Sequence, residues 1–298
     1  MTRSVYPGSY SRPTLRRLIT PRGLEGASPA TTAVSYGVVV VACLVTIGPF
    51  FYLLSSSLKP DASLFQYPPV WIPSHLYWGN YAHLLFHTEF LRWVANTFLV
   101  AGVVTCAKVL FDSMAGYAFA KMRFPFRNAL FVVVLMTLMI PFSAILIPLF
   151  FIVRDLHLLN TYWALILPPL ANPIGIFMMR TFIEGLPSDL ENAARLDGAS
   201  EFAIYWRLIL PLVKPGLVVL AVFTFLIQYT SFLWPLVAVS STNLEVVTVG
   251  LAGQSSISQV DYGIYSAGAL MALVPITLVF LFLQRFFIAG SLAGALKQ

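Results

Sequence analysis

Six stretches of this chain are free, or nearly free, of charge over lengths that can cross a bilayer. Residues 26–58, 128–153, 156–179, 215–244 and 262–284 hold no Asp, Glu, Lys or Arg, and 33–56 is the part of the first that is apolar enough to span. A sixth stretch, 94–120, is interrupted by Lys108 and Asp112 alone. Each exceeds the roughly 20 residues that a helix needs to cross a hydrocarbon core. Lipid offers the backbone no hydrogen bonds, so spanning segments must satisfy their own polar groups as helices or as a closed barrel. The ten-residue alternation of barrel strands is absent from the sequence. The expectation is an all-α integral membrane protein with six transmembrane helices. Charged residues make up 10% of the chain, far below the roughly 25% with which a soluble domain covers its surface.

Lys and Arg set the orientation. With the N-terminus inside, fourteen of the eighteen fall on the cytoplasmic side, and Lys59, Arg92 and Arg154 fall outside. This bias places both termini in the cytoplasm. It also accounts for the net charge of +6 without nucleic acid, because the basic residues are scattered between apolar runs. The domain reading is a basic, mobile cytoplasmic tail over 1–32, a six-helix domain over 33–290 and a cytoplasmic C-terminal tail over 291–298. A secretory signal is the rival reading of the N-terminus. The apolar run is too long for it, and no convincing small-x-small cleavage site precedes Lys59-Pro60. Cys43 and Cys106 lie in apolar segments and read as small hydrophobes.

The external segment 57–92 is rich in aromatics, including Trp71, Trp78 and Trp93, which suit a membrane interface or a partner. His83 and His87 have i,i+4 spacing, but a metal site lacks a third ligand, so they read as interface residues.

One internal segment, 180–214, is dense in charges of both signs. It reads as two short helices. Ser188 and Glu191 form a capping box for the first. Ala193 and Ala194 give it a small surface that another protein can approach closely. Asp197-Gly198 stops it, with Gly198 suited to a left-handed cap. Ser200 caps a second helix through Phe202, Ile204, Trp206 and Leu208 to Leu210, and Pro211 and Pro215 redirect the chain. An amphipathic linker lying on the membrane is the simpler alternative.

The stretch ENAARLDGASEFAIYWRLILPLVKPGL resembles the cytoplasmic EAA loop of binding-protein-dependent ABC importers. The matches are Ala193, Ala194, Asp197, Gly198, Leu210 and Pro211. The Glu of Glu-Ala-Ala falls at Asn192, with Glu191 one position earlier. Other pieces resemble the carbohydrate-uptake permeases, specifically the shorter permease of the maltose system: SSLKPDASLFQYPPVWIPSHLYWGNY, AGYAFAKMRFPFRN, LLNTYWALILP, FLWPLV and QRFFIAGSLAGALK. The resemblance implies a coupling loop, about 184–214, between the fourth and fifth helices, seated in a cleft of a cytoplasmic ATPase. It implies two ATPase subunits, a second permease and an extracytoplasmic solute-binding protein as partners, in a bacterial or archaeal cytoplasmic membrane. Related permeases often read Trp-Asn-acidic where this chain has Tyr229, Thr230 and Ser231.

Lys108 and Asp112 share a helix face. They are either a pathway or subunit-contact pair, or a salt bridge that packs one helix. Asn172, Gln228, Tyr229 and Ser231 are polar at depth and either line the solute path or make interhelical hydrogen bonds. Pro141, Pro148, Pro168, Pro169, Pro235 and Pro275 can break helices and free backbone groups toward a cavity. The sequence contains no Walker-type phosphate loop and no metalloprotease or nucleophile-elbow motif. The expectation is a transport subunit with no cofactor of its own, with ATP and Mg²⁺ on partner chains. A glycerol phosphate or phosphodiester is the alternative solute. An ion-coupled secondary transporter and a membrane-embedded enzyme or scaffold are the alternative classes.

Overall fold

A computed structural model describes residues 29–68, 70–254 and 261–295, with side chains described between 30 and 282. Among the described residues every regular element is helical. The chain falls into two compact units, residues 1–52 and 53–298. Helix α1 (Pro29–Ser57) starts in the first and ends in the second. The second unit continues with α2 (Gly79–His87), α3 (Phe90–Lys121), α4 (Arg127–Met136), α5 (Phe142–Asp155), α6 (Tyr162–Leu170) and α7 (Ile174–Glu184). Then follow α8 (Asp189–Leu196), α9 (Glu201–Leu212), α10 (Lys214–Tyr229), α11 (Leu233–Ala238), α12 (Val247–Gln254) and α13 (Tyr262–Ala295).

Three helices, α1, α3 and α13, are each long and apolar enough to cross a membrane. Three bent pairs pass the same test together: α4 with α5, bent by 99°, α6 with α7, by 44°, and α9 with α10, by 79°. The number is therefore three, or up to six if each bent pair is one span. The runs 128–153, 156–179 and 215–244 are each interrupted, and Pro141, one of the prolines expected to break helices, stands at the first interruption. Apolar periodicity does not register a missing N–H, and prolines make two of the breaks. Pro141 caps α5 and Pro173 caps α7, each with no N–H to continue the helix before it. The third run holds α10, then a turn at Thr230–Phe232, then α11.

Prolines inside helices free carbonyls, and one of these has a visible partner. Pro168 in α6 cannot donate to the Ala164 carbonyl, and the Trp234 indole of α11 donates to it at 2.8 Å. Pro148, Pro169 and Pro275 also lie within helices, and Pro235 lies in the first turn of α11.

Helix α3 runs through the packing of the second unit. Its Phe90 and Trp93 join a cluster with Leu84, Tyr229, Val247 and Leu251 at one end. Val100 and Val104 pack with Leu165, Ile166 and Trp234 in the middle. Tyr117 packs with Met179, Ile183, Ile204, Tyr205 and Leu220 at the other end. At ~1.5 Å per residue, its 32 residues span roughly 48 Å, more than the hydrocarbon core.

In lipid the gain from such clusters is close packing rather than escape from water. Leu220 of α10, fully buried and set against Gly175 of α7, should therefore be costly to truncate. Leu220→Ala lowers stability in detergent by about 2 kcal/mol or more, whereas Leu196→Ala, at a residue 90% exposed, leaves the thermal midpoint of the isolated chain unchanged.

Candidate functional site

The loop between α7 and α10 begins with a helix that has two unlike faces. In α8, Glu191 is buried and Ala194 and Arg195 are half-buried, while Asp189, Asn192, Ala193 and Leu196 are exposed. The expected capping box does not form. Ser188 makes no side-chain bond to the helix N-terminus. Its hydroxyl accepts from Lys121 Nζ at 3.3 Å, and Glu191 turns inward to Lys121, 3.1 Å away. A buried ammonium needs oxygen ligands more than an exposed helix end needs a cap, because water can satisfy the latter. Glu191 Oε1 meets Lys121 as a charge contact outside hydrogen-bond geometry, and Arg195 lies 3.6 Å from its other oxygen.

The helix stops as the sequence requires. Asp197 is the C-cap, and Gly198 takes φ +78°, a left-handed conformation that costs an L side chain energy. Gly198 N–H donates to the Arg195 carbonyl and Ala199 N–H to the Ala194 carbonyl, both at 3.0 Å. These are the two bonds of a Schellman motif. The Ser200 hydroxyl then accepts from Ala203 N–H at 3.3 Å and starts α9. Residues 205–209 of α9 form a π turn, and Leu210 is half-buried against the cluster of Ile204, Tyr205 and Ile209. Pro211, exposed, removes the donor for a carbonyl one turn back, and the wider turn lies beside that gap.

Glu201 ties the two helices together. Arg195 Nε donates to Oε1 at 2.7 Å and the Tyr117 hydroxyl to Oε2 at 2.6 Å. Hydrogen bonds from Arg195 first, and Tyr117 second, hold the Glu201 carboxyl below its ordinary value of 4.5. Asn192 Oδ1, on the outer face, accepts from Arg195 Nη1 at 3.3 Å.

The ion pair at depth is real, and it bridges the break between α6 and α7. Lys108 Nζ lies 2.8 Å from Asp112 Oδ2, with both side chains almost fully buried. Lys108 also donates to the Asn172 carbonyl at 2.5 Å, just beyond the end of α6. Asp112 sits against Gly175 in the first turn of α7, where an added Cβ would collide with the carboxylate. The cation thus faces a helix C-terminus and the anion a helix N-terminus, each complementing a dipole end. The Asn172 side chain accepts from Ile174 N–H at 3.0 Å. Lys108, Asp112 and Asn172 therefore come together, while Gln228, Tyr229 and Ser231 lie at the far end of α10. Tyr229 is buried and its hydroxyl donates to the Ala272 carbonyl of α13 at 2.9 Å. The Ser231 carbonyl accepts from Thr248 at 2.6 Å.

A polar knot near the start of α3 escaped sequence reasoning. Buried Asn96 donates to the Asn243 and Glu245 carbonyls, both at 2.9 Å, and accepts from the Tyr162 hydroxyl at 2.8 Å. Trp93 Nε1 donates to Thr242 and Val247 N–H to Thr97 Oγ1. The signal was Asn96-Thr97, adjacent polar residues one turn past Trp93 in an apolar helix. His83 and His87 stack with ring centroids 5.2 Å apart. No group of three metal-ligating side chains occurs among the described residues.

A carboxylate held below its ordinary value contributes stability above that value and loses it as pH falls through the folded value. Acidification below about pH 4.5 should accordingly lower the amide protection factors over 189–204, and Glu201→Gln should reduce that pH dependence.

Residues 113–290 match the family model described as the binding-protein-dependent transport system inner membrane component. The arabinooligosaccharides transport system permease protein AraQ of Halalkalibacterium halodurans is 36% identical over 256 residues, covering 85% of this chain and 92% of that protein. The sn-glycerol-3-phosphate transport system permease protein UgpE of Yersinia pestis is 30% identical over 260 residues, covering 84% and 92%. A chain of a bacterial ABC transporter involved in the import of the acidic polysaccharide alginate shares the fold, with a TM-score of 0.76 at 22% identity over 90% of this chain and 99% of that one. The chain belongs to the family of binding-protein-dependent transport system inner membrane components.

Proposed function

We propose that this chain is the six-span permease subunit of an ABC importer that moves a sugar or sugar-like solute into the cytoplasm by alternating access. The observation that carries the reading is the division of α8 into two faces. Its ionic residues Glu191 and Arg195 are bound within the chain, while Asn192, Ala193, Leu196 and Asp197 stand exposed on a helix fixed at its C-terminal end. A rigid, small-residue face with an exposed Leu suits a cleft in another protein. In this reading the cleft belongs to one of two ATPase subunits, which bind ATP and Mg²⁺. A second permease, an extracytoplasmic solute-binding protein and membrane lipid complete the assembly.

The pairs α4–α5 and α6–α7 are each one span, α10 opens the fifth span after the loop, and the Lys and Arg bias supports a cytoplasmic place for both termini and the loop, α9 included. Prolonged uncharged segments support a six-span domain over 33–290 with short flanking tails at 1–32 and 291–298. ATP binding closes the ATPases, the loop moves with them, and the cavity changes the side it faces.

The names of the relatives support a carbohydrate, with glycerol phosphate as the second reading. The neutral solute is favoured because the Lys108 ammonium is already held by Asp112 and the Asn172 carbonyl. It is not available to a phosphate. Of the polar positions proposed to line the path, Tyr229 is engaged with Ala272, whereas the Gln228 amide has no hydrogen-bond partner among the described residues. Gln228 is thus the first choice for solute contact.

Leu196→Asp places a carboxylate at the docking surface and should lower ATPase recovery, in a mild-detergent pull-down from the native host, by about tenfold or more. Undiminished recovery would remove the loop from the interface. Gln228→Leu should leave ATPase recovery intact while reducing solute uptake in cells. Unchanged uptake there takes Gln228 off the path.

A further inference from the structure

Three residues of α3 meet the loop at regular intervals. Ser113, Tyr117 and Lys121 recur every fourth position, which places them in one row along the helix. The Ser113 hydroxyl pairs with the Tyr205 hydroxyl at 2.7 Å, in the π turn of α9. Tyr117 donates to Glu201 at the start of α9. Lys121 serves three groups around the start of α8: it donates to the Leu186 carbonyl at 2.6 Å and the Ser188 hydroxyl at 3.3 Å, and its charge meets the Glu191 carboxylate at 3.1 Å. The loop is covalently continuous with α7 and α10, yet its polar attachments run to α3.

A neighbouring row on the same helix meets the break between α6 and α7. Lys108 and Asp112 hold Asn172 and the first turn of α7, and Gly116 lies where an added Cβ would come within 2.7 Å of the Met179 side chain of α7. The two attachment points, Lys108 and Lys121, are 13 positions apart, roughly 20 Å along a continuous helix. A helix of this kind resists bending, so displacement at one end reaches the other.

The chemistry of the loop end points the same way. Lys121 and Glu191 have side chains 6% and 2% exposed. Burying such a pair offers little net stability over apolar residues of the same volume, but it penalises any arrangement that leaves either charge alone. What the pair enforces is one register of α8 against α3.

We infer that α3 is the lever that joins the loop to the hinge between α6 and α7, with Lys121 and Glu191 as positioning residues at the loop end. This rests on the reading of the loop as the ATPase-docking element. Movement of α8 by the ATPase is carried along α3, and the Lys108–Asp112 pair delivers it to both half-helices at the break.

The test uses the whole importer, purified with its ATPase subunits. Nitroxide labels at Leu167→Cys on α6 and Phe177→Cys on α7, both exposed positions, report the hinge when Cys43 and Cys106 are replaced by Ser. The distance between labels is compared in the nucleotide-free and ATP–vanadate-trapped complex. The expected result is a nucleotide-dependent shift in the parent complex. Lys121→Met with Glu191→Met keeps the packing, and should retain ATPase recovery and vanadate trapping but lose most of the shift. Lys121→Glu with Glu191→Lys should restore it. A full shift in the double-Met complex, or no shift in the parent, overturns the lever while leaving the docking role of the loop intact. Failure of the parent chain to recover any ATPase overturns the docking role, and the lever with it.

Discussion

A broken helix in a membrane leaves backbone groups that no solvent will satisfy, and much of this chain is arranged around that constraint. The break at Asn172–Pro173 exposes the C-terminal dipole of α6 and the N-terminal dipole of α7. Lys108 and Asp112, one turn apart on α3, present one charge to each. The same rule places Trp234 on the carbonyl that Pro168 frees. Intramembrane polarity here goes first to holding the breaks in place.

This arrangement explains why α3 is the helix with charges at depth. It passes through the clusters at both ends and in the middle of the second unit, so it is the element that the broken helices can share as a support. Asn96 and Trp93 hold the 242–245 segment near its start, and Lys121 holds the loop at its end. The bent pairs on its flanks gain fixed reference points without long-range hydrophobic driving force, which lipid does not supply.

Much of this was legible in the sequence, for definite reasons. The absence of charge marked the apolar runs, and turn chemistry marked the loop. Gly198 is left-handed and Ser200 caps α9, because these depend on a few neighbouring residues. The breaks were harder. Pro141 and Pro173 interrupt helices while Pro148, Pro169 and Pro275 do not, and nothing local distinguishes them. The Ser188–Glu191 cap failed for a related reason. The spacing was right, but the competing partner, Lys121, lies 70 residues from Glu191 in the chain and only the fold brings it near. Asn96 and its partners are likewise separated by more than 60 residues.

The Asn at position 192 can now be placed. Read along the sequence, Glu191 looks like the family's glutamate displaced by one residue. Helix geometry makes that impossible, since adjacent residues point about 100° apart on a helix of 3.6 residues per turn. Glu191 faces α3 and is 1% exposed, while Asn192 is on the outer face. The two positions therefore do different work, and a charge at one cannot stand in for a charge at the other. The outer face of α8 keeps Asp189 and Asp197 at its ends but is neutral between them, with Asn192, Ala193 and Leu196 in the centre. A partner cleft that fits it must recognise shape and apolar contact at that centre more than charge, and its affinity should depend less on salt than that of a loop bearing glutamate there.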